Sequence, residues 1–152
     1  INNLKKYQHV FLNGNLENLE NIKKYILTIN SKINVHIGKY VPKNISELNN
    51  KDKYLVFSGI GNHKTFVSMI KNYGLNVIKD IEFPDHYNYT DYDIKKILSD
   101  SKKIGCKIIT TEKDSMRLKK TDNGEIKFIK SELQIINEEK LVNDILKKNE
   151  TN

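Results

Sequence analysis

Short apolar runs of strand length alternate with segments of helical periodicity along the whole chain. The strand-like runs lie at 7–14, 33–41, 53–62, 75–83, 106–111 and 125–136, and the last run is either one strand or two short ones. Helical spacing of apolar residues is found at 16–29, 63–73, 90–104 and 138–148. Strands separated by helices are typical of parallel sheets, because parallel neighbours need a crossover connection. The pattern therefore predicts one α/β domain over residues 1–152, a single three-layer Rossmann-like domain with a mainly parallel sheet and helices on both faces.

The composition indicates a globular protein without a membrane-spanning segment or a disulfide. Of the 152 residues, 38% are hydrophobic and 30% are charged, which is typical of a globular domain with a sizeable core. No apolar run approaches the ~20 residues that cross a bilayer. Cys106 is the single cysteine, so an internal disulfide is excluded, which fits a reducing compartment.

The formal net charge of +7 favours an anionic partner, such as nucleic acid, a phosphorylated substrate or an acidic lipid surface. The lysines are nevertheless spread over the whole chain, which is typical of solvated helix faces. The sequence has neither an arginine-rich block nor an RNA-binding aromatic motif, so nucleic acid is an unlikely partner. A basic nucleic-acid-binding domain stays open as an alternative, which a steep salt dependence of affinity would reveal.

Three loops carry polar and charged residues directly after predicted parallel strands. They are "SGIGNHK" at 58–64, "PDHYNYT" at 84–90 and "TTEKDSMRL" at 110–118. Functional loops of such sheets gather beyond the carboxyl ends of the strands, so we expect all three at one edge. That edge would bring together His63, Asp85, His86, Lys113, Asp114 and Arg117.

Two of the loops also have a purely structural interpretation. Gly59 and Gly61 do not complete a dinucleotide-binding or P-loop fingerprint, so on their own they are more typical of a tight turn. Asp114 could cap the next helix, while Lys113 pairs with Glu112 or faces solvent.

The histidines have ordinary explanations as well. His86 could be a packed histidine held by Tyr87 or Tyr89. The four histidines are too scattered along the chain for the spacing of a zinc site, so we predict no metal site.

Three stretches together resemble a known family. "FSGIGNHKTF", "FPDHYNYTDYDI" and "TTEKDSMRL", in this order and at these separations, resemble the C-terminal half of the tetraacyldisaccharide 4'-kinases. The resemblance extends from "HVFLNG" to "IKSELQI". It implies a kinase, similar to P-loop kinases, that uses ATP and Mg²⁺ to phosphorylate the 4'-hydroxyl of a tetraacylated glucosamine disaccharide 1-phosphate in lipid A biosynthesis. The implied partners are this lipid A precursor and the anionic inner-membrane surface, on whose cytoplasmic face the family works peripherally.

The resemblance also implies a division into two lobes. An N-terminal lobe holds the Walker motif and the catalytic aspartate, and a smaller C-terminal α/β lobe closes on it. These 152 residues contain no G-x-x-x-x-G-K-[ST] motif, so we interpret them as the C-terminal lobe of a longer protein, with its N-terminal P-loop lobe as partner. We expect that lobe to bind ATP and Mg²⁺, and this chain alone to bind no cofactor and to be inactive. A catalytically silent interaction domain is the second alternative.

The family's Asp-His motif matches Asp85 and His86, which implies that His86 is the catalytic residue of this lobe and the partner of the catalytic aspartate. Successive side chains of an extended segment point apart, so we assign Asp85 to loop geometry beside the cleft rather than to the dyad. We expect Phe83, Tyr87 and Tyr89 to pack around the imidazole. The remaining cleft-lining predictions are Asn62, His63, Tyr87 and Lys113, and the structural-turn predictions are Gly59, Gly61, Thr110, Thr111 and Asp114.

Overall fold

The computed structural model describes residues 2–14, 16–119 and 124–146. The chain divides into two compact units. One is formed by residues 1–41 and 133–152, and the other by residues 42–132.

Strands and helices alternate within the described residues as the apolar pattern predicts. The strands are β1 (His9–Asn13), β2 (Asn34–Pro42), β3 (Lys53–Ser58), β4 (Asn76–Glu82), β5 (Lys107–Thr111), β6 (Ile126–Ile129) and β7 (Ser131–Ile136). The α-helices are α1 (Leu16–Ile29), α2 (His63–Asn72), α3 (Asp91–Ile104), α4 (Glu112–Ser115) and α5 (Glu138–Leu146). Short 3₁₀ turns lie at Asn2–Lys6 and Ile45–Glu47. None of the described helices is both long and apolar enough to cross a membrane.

The first unit contains a three-stranded sheet with the order β1-β2-β7. Strands β1 and β2 are parallel neighbours, with Val10 opposite Val35. Helix α1 connects them and buries Leu19 and Ile26. This is the βαβ crossover that a parallel pair requires.

The second unit contains a four-stranded sheet with the order β4-β3-β5-β6, in which every neighbouring pair is parallel. The central strand β3 is buried on both faces, as a near-continuous apolar run in a parallel sheet requires. Tyr54 and Val56 contribute to one core cluster, whereas Leu55 and Phe57 contribute to another.

Each core cluster of the second unit contains residues of one helix. Phe66 and Ile70 of α2 belong to the cluster of Tyr54, and Ile94 and Ile97 of α3 belong to the other. The prediction of a mainly parallel sheet with helices on both faces is thus confirmed for this unit.

Helix ends in the second unit follow the predicted capping signals. The Asn62 side chain accepts a hydrogen bond from the backbone N–H of Thr65, 3.2 Å away, at the start of α2. Thr90 and Asp93 form a complete capping box at the start of α3, and Gly105 ends it in the left-handed region with φ 61°. These caps fix where each loop at the carboxyl edge of the sheet stops and the following helix begins.

The sequence predicted one mainly parallel sheet, and the described strands form two sheets. The segment 125–136 forms two short strands, and β6 pairs with β5 while β7 belongs to the three-stranded sheet. Only Lys130 separates the two strands, and no glycine or proline marks a break between them, so sequence alone does not show that they pair with different partners. Residues 147–148 of the predicted closing helix lie outside the described residues. The assignment of residues 1–152 to one C-terminal lobe stays a prediction.

Candidate functional site

The three predicted loops meet beyond the carboxyl ends of β3, β4 and β5. The backbone N–H of Phe83 donates to the carbonyl of Ser58 at 2.9 Å, and that of His86 donates to the carbonyl of Gly59 at 3.0 Å. The backbone N–H of Gly59 also donates to the carboxylate of Asp114 at 3.1 Å. The prediction that these loops share one edge is therefore confirmed by direct contacts.

Asp114 is the buried centre of this edge, with no exposed surface. One carboxylate oxygen accepts hydrogen bonds from the Gly59 N–H and from the Thr111 hydroxyl, the latter at 2.7 Å. The other oxygen accepts from the Arg117 guanidinium at 3.2 Å. Thr111 caps the short helix α4 and accepts a return bond from the backbone N–H of Asp114 at 3.0 Å. A buried carboxylate needs partners of this kind, because leaving it unpaired is costly.

Thr110 lies on β5 beside this centre. Its side chain is fully buried, and its hydroxyl donates to the carbonyl of Phe57 at 2.9 Å. The contact joins the ends of two neighbouring strands just before their loops start.

His86 projects from the edge into solvent. Its backbone has φ 59°, in the left-handed region that histidine adopts more often than most residues. Its Nδ1 lies 3.1 Å from a terminal nitrogen of Arg117, and its Nε2 lies 3.5 Å from the Lys113 ammonium. The side chain is 68% exposed, so the imidazole is available to a group outside this chain.

Arg117 determines which imidazole nitrogen carries the proton. A guanidinium has only donors, so Nδ1 of His86 must accept the shorter contact and the neutral ring carries its proton on Nε2. The Nε2–H and the Lys113 ammonium are then two donors side by side. Arg117 itself is held by Asp114 and by the Gly59 carbonyl, which lies 3.3 Å from Nη1. The buried carboxylate therefore positions the exposed imidazole through one arginine.

The expectation that the side chains of Asp85 and His86 point apart is wrong. The segment is a turn rather than an extended strand, because the backbone N–H of Tyr87 donates to the carbonyl of Pro84 at 3.1 Å. One oxygen of Asp85 accepts from the backbone N–H of His86 at 3.0 Å, and the other lies 3.9 Å from its Nε2. The left-handed residue brings both side chains to one side of the loop.

The aromatic residues of this loop pack on one another rather than around the imidazole. The Phe83 and Tyr87 ring centroids are 4.9 Å apart, and Tyr89 lies edge-on to Phe57 at 5.4 Å. The described contacts of the His86 ring are instead with charged side chains. Aromatic packing therefore anchors the loop to the core and leaves the histidine outside it.

Two tyrosines connect the loop to its surroundings. The hydroxyl of Tyr87 donates to the capping carboxylate of Asp93 at 3.2 Å. The hydroxyl of Tyr89 is buried, and within the described part of the chain no group satisfies its hydrogen bond. Burial, followed by the negative charge of Asp114, raises the pKa of the Tyr89 hydroxyl well above its ordinary range, so Tyr89 stays protonated.

His63 does not line the edge, and this prediction is corrected. Its side chain is 2% exposed, with Nδ1 at 2.6 Å from the Ser58 hydroxyl and Nε2 at 3.2 Å from Asp80. The ring turns inward because Ser58 and Asp80, on neighbouring strands, offer partners to both of its nitrogens. Asn62, also predicted to line the cleft, is exposed, and its side-chain oxygen serves as the cap of α2.

Gly59 is closely surrounded, which yields a stability prediction. A β-carbon there would lie 3.0 Å from the Tyr89 hydroxyl and 3.1 Å from the Pro84 carbonyl, whereas one at Gly61 would meet only ordinary contacts at 3.4 Å or more. We expect Gly59→Ala to reduce the free energy of unfolding by about 1–3 kcal/mol. Gly61→Ala, the matched control in the same loop, should change it by less than about 1 kcal/mol. Urea titrations followed by circular dichroism measure both; equal effects would contradict the close packing.

A further group of potential metal ligands lies in the first unit. The ligand atoms of His9, His36 and Asp144 all lie within 4.8 Å of one another, although the two histidines lie far apart in the sequence. His9 Nδ1 lies 3.2 Å from His36 Nε2, and the Lys140 ammonium lies 2.8 Å from the Asp144 carboxylate. Burial and then the Lys140 charge lower the pKa of His36, so its ring is neutral. The prediction of no metal site stays a prediction.

The link between Arg117 and His86 was not predicted from the sequence. The sequence holds a partial signal, since Arg117 follows Asp114 by three residues, a spacing at which helical side chains can meet. The contact of Arg117 with His86 depends on two loops 31 residues apart, which no local pattern encodes.

Comparison with known proteins gives three results. A family model described as "LpxK: Tetraacyldisaccharide-1-P 4'-kinase" matches residues 1–150. The tetraacyldisaccharide 4'-kinase of Pelagibacter ubique is 52% identical over 152 residues, covering 100% of this chain and 48% of the relative. That of Rickettsia akari is 40% identical over 116 residues, covering 74% of this chain and 35% of the relative. The chain thus spans about half or less of the length of these relatives.

A solved structure is also similar to this chain. It is a crystal structure of LpxK from Aquifex aeolicus in complex with ATP, with 19% sequence identity and a TM-score of 0.47. The match covers 91% of this chain and 51% of the solved one.

Proposed function

Because the chain belongs to the tetraacyldisaccharide 4'-kinase family, we propose that it forms the C-terminal part of an enzyme that phosphorylates the 4'-hydroxyl of tetraacyldisaccharide 1-phosphate with ATP. In this proposal the rest of the enzyme supplies the nucleotide-binding loop and the catalytic aspartate. This chain supplies His86, which reaches the aspartate when the two parts close on each other.

The observation that carries this proposal is the fixed, outward-facing imidazole of His86. Arg117 holds Nδ1 at 3.1 Å, so the neutral ring carries its proton on Nε2, from which it can be donated to an incoming acceptor. A histidine kept only for packing would be buried among its neighbours, whereas this ring is 68% exposed. A carboxylate is the natural acceptor for such a donor.

Phosphoryl transfer to a sugar hydroxyl needs an oriented nucleophile and neutralisation of the charge on the transferred group. A carboxylate that accepts the Nε2–H of His86 is held in one orientation while its second oxygen takes the proton of the sugar hydroxyl. His86 then acts as a positioning residue for the general base. Placing it on a separate part of the enzyme makes the dyad form only on closure, which links substrate binding to chemistry.

Two described carboxylates near this edge, those of Asp93 and Asp114, do not fit a Mg²⁺ site. Asp114 is buried and accepts three hydrogen bonds, and Asp93 is engaged by Thr90 and Tyr87. Hard cations need several free oxygen ligands, which these groups do not offer. In this proposal Mg²⁺ and ATP are bound by the remainder of the enzyme.

The proposed location of the enzyme is a membrane surface. The net charge of +7 suits an enzyme whose lipid substrate lies in an anionic surface, and we place it peripherally on the cytoplasmic face of the bacterial inner membrane. Co-sedimentation with anionic vesicles would test that placement separately from the chemistry.

A chimaeric enzyme tests the proposed reaction. The matching C-terminal part of the Pelagibacter ubique relative would be replaced by this chain, which is 52% identical to it. We expect the chimaera to transfer phosphate from ATP to tetraacyldisaccharide 1-phosphate, and the truncated relative alone to be inactive. A chimaera that folds and binds ATP yet transfers no phosphate would contradict the proposal.

A further inference from the structure

We infer that Lys113 and His86 form a binding site for a phosphate oxygen at the carboxyl edge of the four-stranded sheet. The Lys113 ammonium and His86 Nε2 are 3.5 Å apart and exposed. Which phosphate binds there rests on the proposed function. The site adds a ligand-binding role for Lys113 to that function.

Two hydrogen-bond donors, His86 Nε2 and the Lys113 ammonium, lie side by side at this edge. Arg117 occupies Nδ1 of His86, so Nε2 carries hydrogen and cannot accept from the Lys113 ammonium. Two N–H groups side by side, one of them cationic, repel weakly unless an acceptor bridges them. An oxygen anion placed between them would accept from both, and hydrogen bonds that involve charged groups are stronger than neutral ones.

The Lys113 ammonium lacks a carboxylate partner in the part of the chain that the structure describes. Its charge is unpaired within the described residues, since no Asp or Glu oxygen there lies within 4.0 Å of its ammonium. The neighbouring cation differs in this respect, because Arg117 is paired with Asp114 and is mostly buried. Lys113 is therefore a cation of this edge that has no carboxylate partner among the described residues and can meet a ligand.

The Asp85 carboxylate lies on the same side of the loop as the His86 imidazole. One of its oxygens is bound by the backbone N–H of His86, and the other is 3.9 Å from Nε2. This negative charge opposes an incoming phosphate and limits its affinity in this chain alone. Removing the Asp85 charge should therefore tighten phosphate binding. If phosphate bound only to a non-specific basic surface, removing any other exposed carboxylate would tighten binding by as much.

Two substrates of the proposed reaction carry the required chemistry. A phosphate oxygen could belong to the polyphosphate of ATP or to the phosphate of the disaccharide. In the closed enzyme of the proposal the Nε2–H of His86 is taken up by the general base, so there the Lys113 ammonium alone would offset the negative charge of the phosphate oxygen beside it. The shared chemistry is a phosphate oxygen, and the source is separated by experiment.

The test is a titration of this chain at constant pH with inorganic pyrophosphate, followed by the proton resonance of the His86 ring. His86→Gln identifies that resonance by its loss. We expect a saturable shift with a dissociation constant in the millimolar range. Lys113→Ala should raise that constant about fivefold or more, whereas Asp85→Asn should lower it.

Lys53→Ala is the matched control, because Lys53 begins β3 at the opposite edge of the same sheet and is exposed. Equal weakening by Lys53→Ala and Lys113→Ala, or a shift that never saturates, would overturn the inference. Parallel titrations with ATP and with glucosamine 1-phosphate show which source binds more tightly. Because these titrations measure no phosphoryl transfer, their failure is distinguishable from failure of the chimaera to act as a kinase.

Discussion

Replacing His86 by alanine in the complete kinase is expected to lower kcat by about 10²-fold or more, the usual range for acid–base assistance. The variant leaves the general base without the donor that orients it. The KM for ATP should hardly change, since the nucleotide is bound elsewhere in the proposal. Steady-state assays at saturating lipid substrate measure both constants.

The backbone at residue 86 calls for a second variant. Alanine at φ 59° is strained, so His86→Ala could lose activity through a disturbed loop. Asparagine tolerates the left-handed region and lacks the imidazole, so His86→Asn should lose kcat equally while keeping the melting temperature. An unchanged kcat in both variants would contradict the positioning role. A loss of activity that only matches the loss of folded protein would show that His86 contributes to stability instead.

The second large effect is expected from the buried carboxylate. Asp114→Ala should lower the free energy of unfolding by about 3 kcal/mol, because it leaves the Gly59 N–H and the Arg117 guanidinium without their acceptor. Thermal unfolding by circular dichroism should show a melting temperature lower by roughly 10 °C or more.

Asp91→Ala provides the comparison for this stability effect. Asp91 pairs with Lys119 and both side chains are more than 60% exposed, so its loss should change the free energy of unfolding only slightly. If Asp114→Ala were as mild as Asp91→Ala, the buried carboxylate would not hold the loops together. We expect the same Asp114 variant to reduce kcat in the complete kinase, because Arg117 would release His86.

Local signals in the sequence predicted much of the second unit. The capping box of Thr90 and Asp93 and the apolar run of β3 are encoded within a few residues, so they could be recognised without neighbours. Parallel topology then places all loops after the strands at one edge. That rule was enough to bring His86 and Asp114 into one group.

Other features depend on contacts between distant residues and escaped prediction. His63 turns inward because Asp80, 17 residues away, lies on the adjacent strand. Asp85 and His86 share one side because a single left-handed residue reverses the expected alternation. The division into two sheets follows from the different partners of β6 and β7, and the single residue between these strands, Lys130, carries no turn signal that would separate them.

The left-handed backbone conformation of His86 determines which substitutions at this position stabilise the fold. A glycine would adopt φ 59° without strain, so selection for folding alone favours glycine at this position, by about 1 kcal/mol. Selection for the proposed reaction favours histidine instead. Residue 86 is thus a position at which a library screened only for thermal stability should discard the imidazole, while a library screened for growth should retain it.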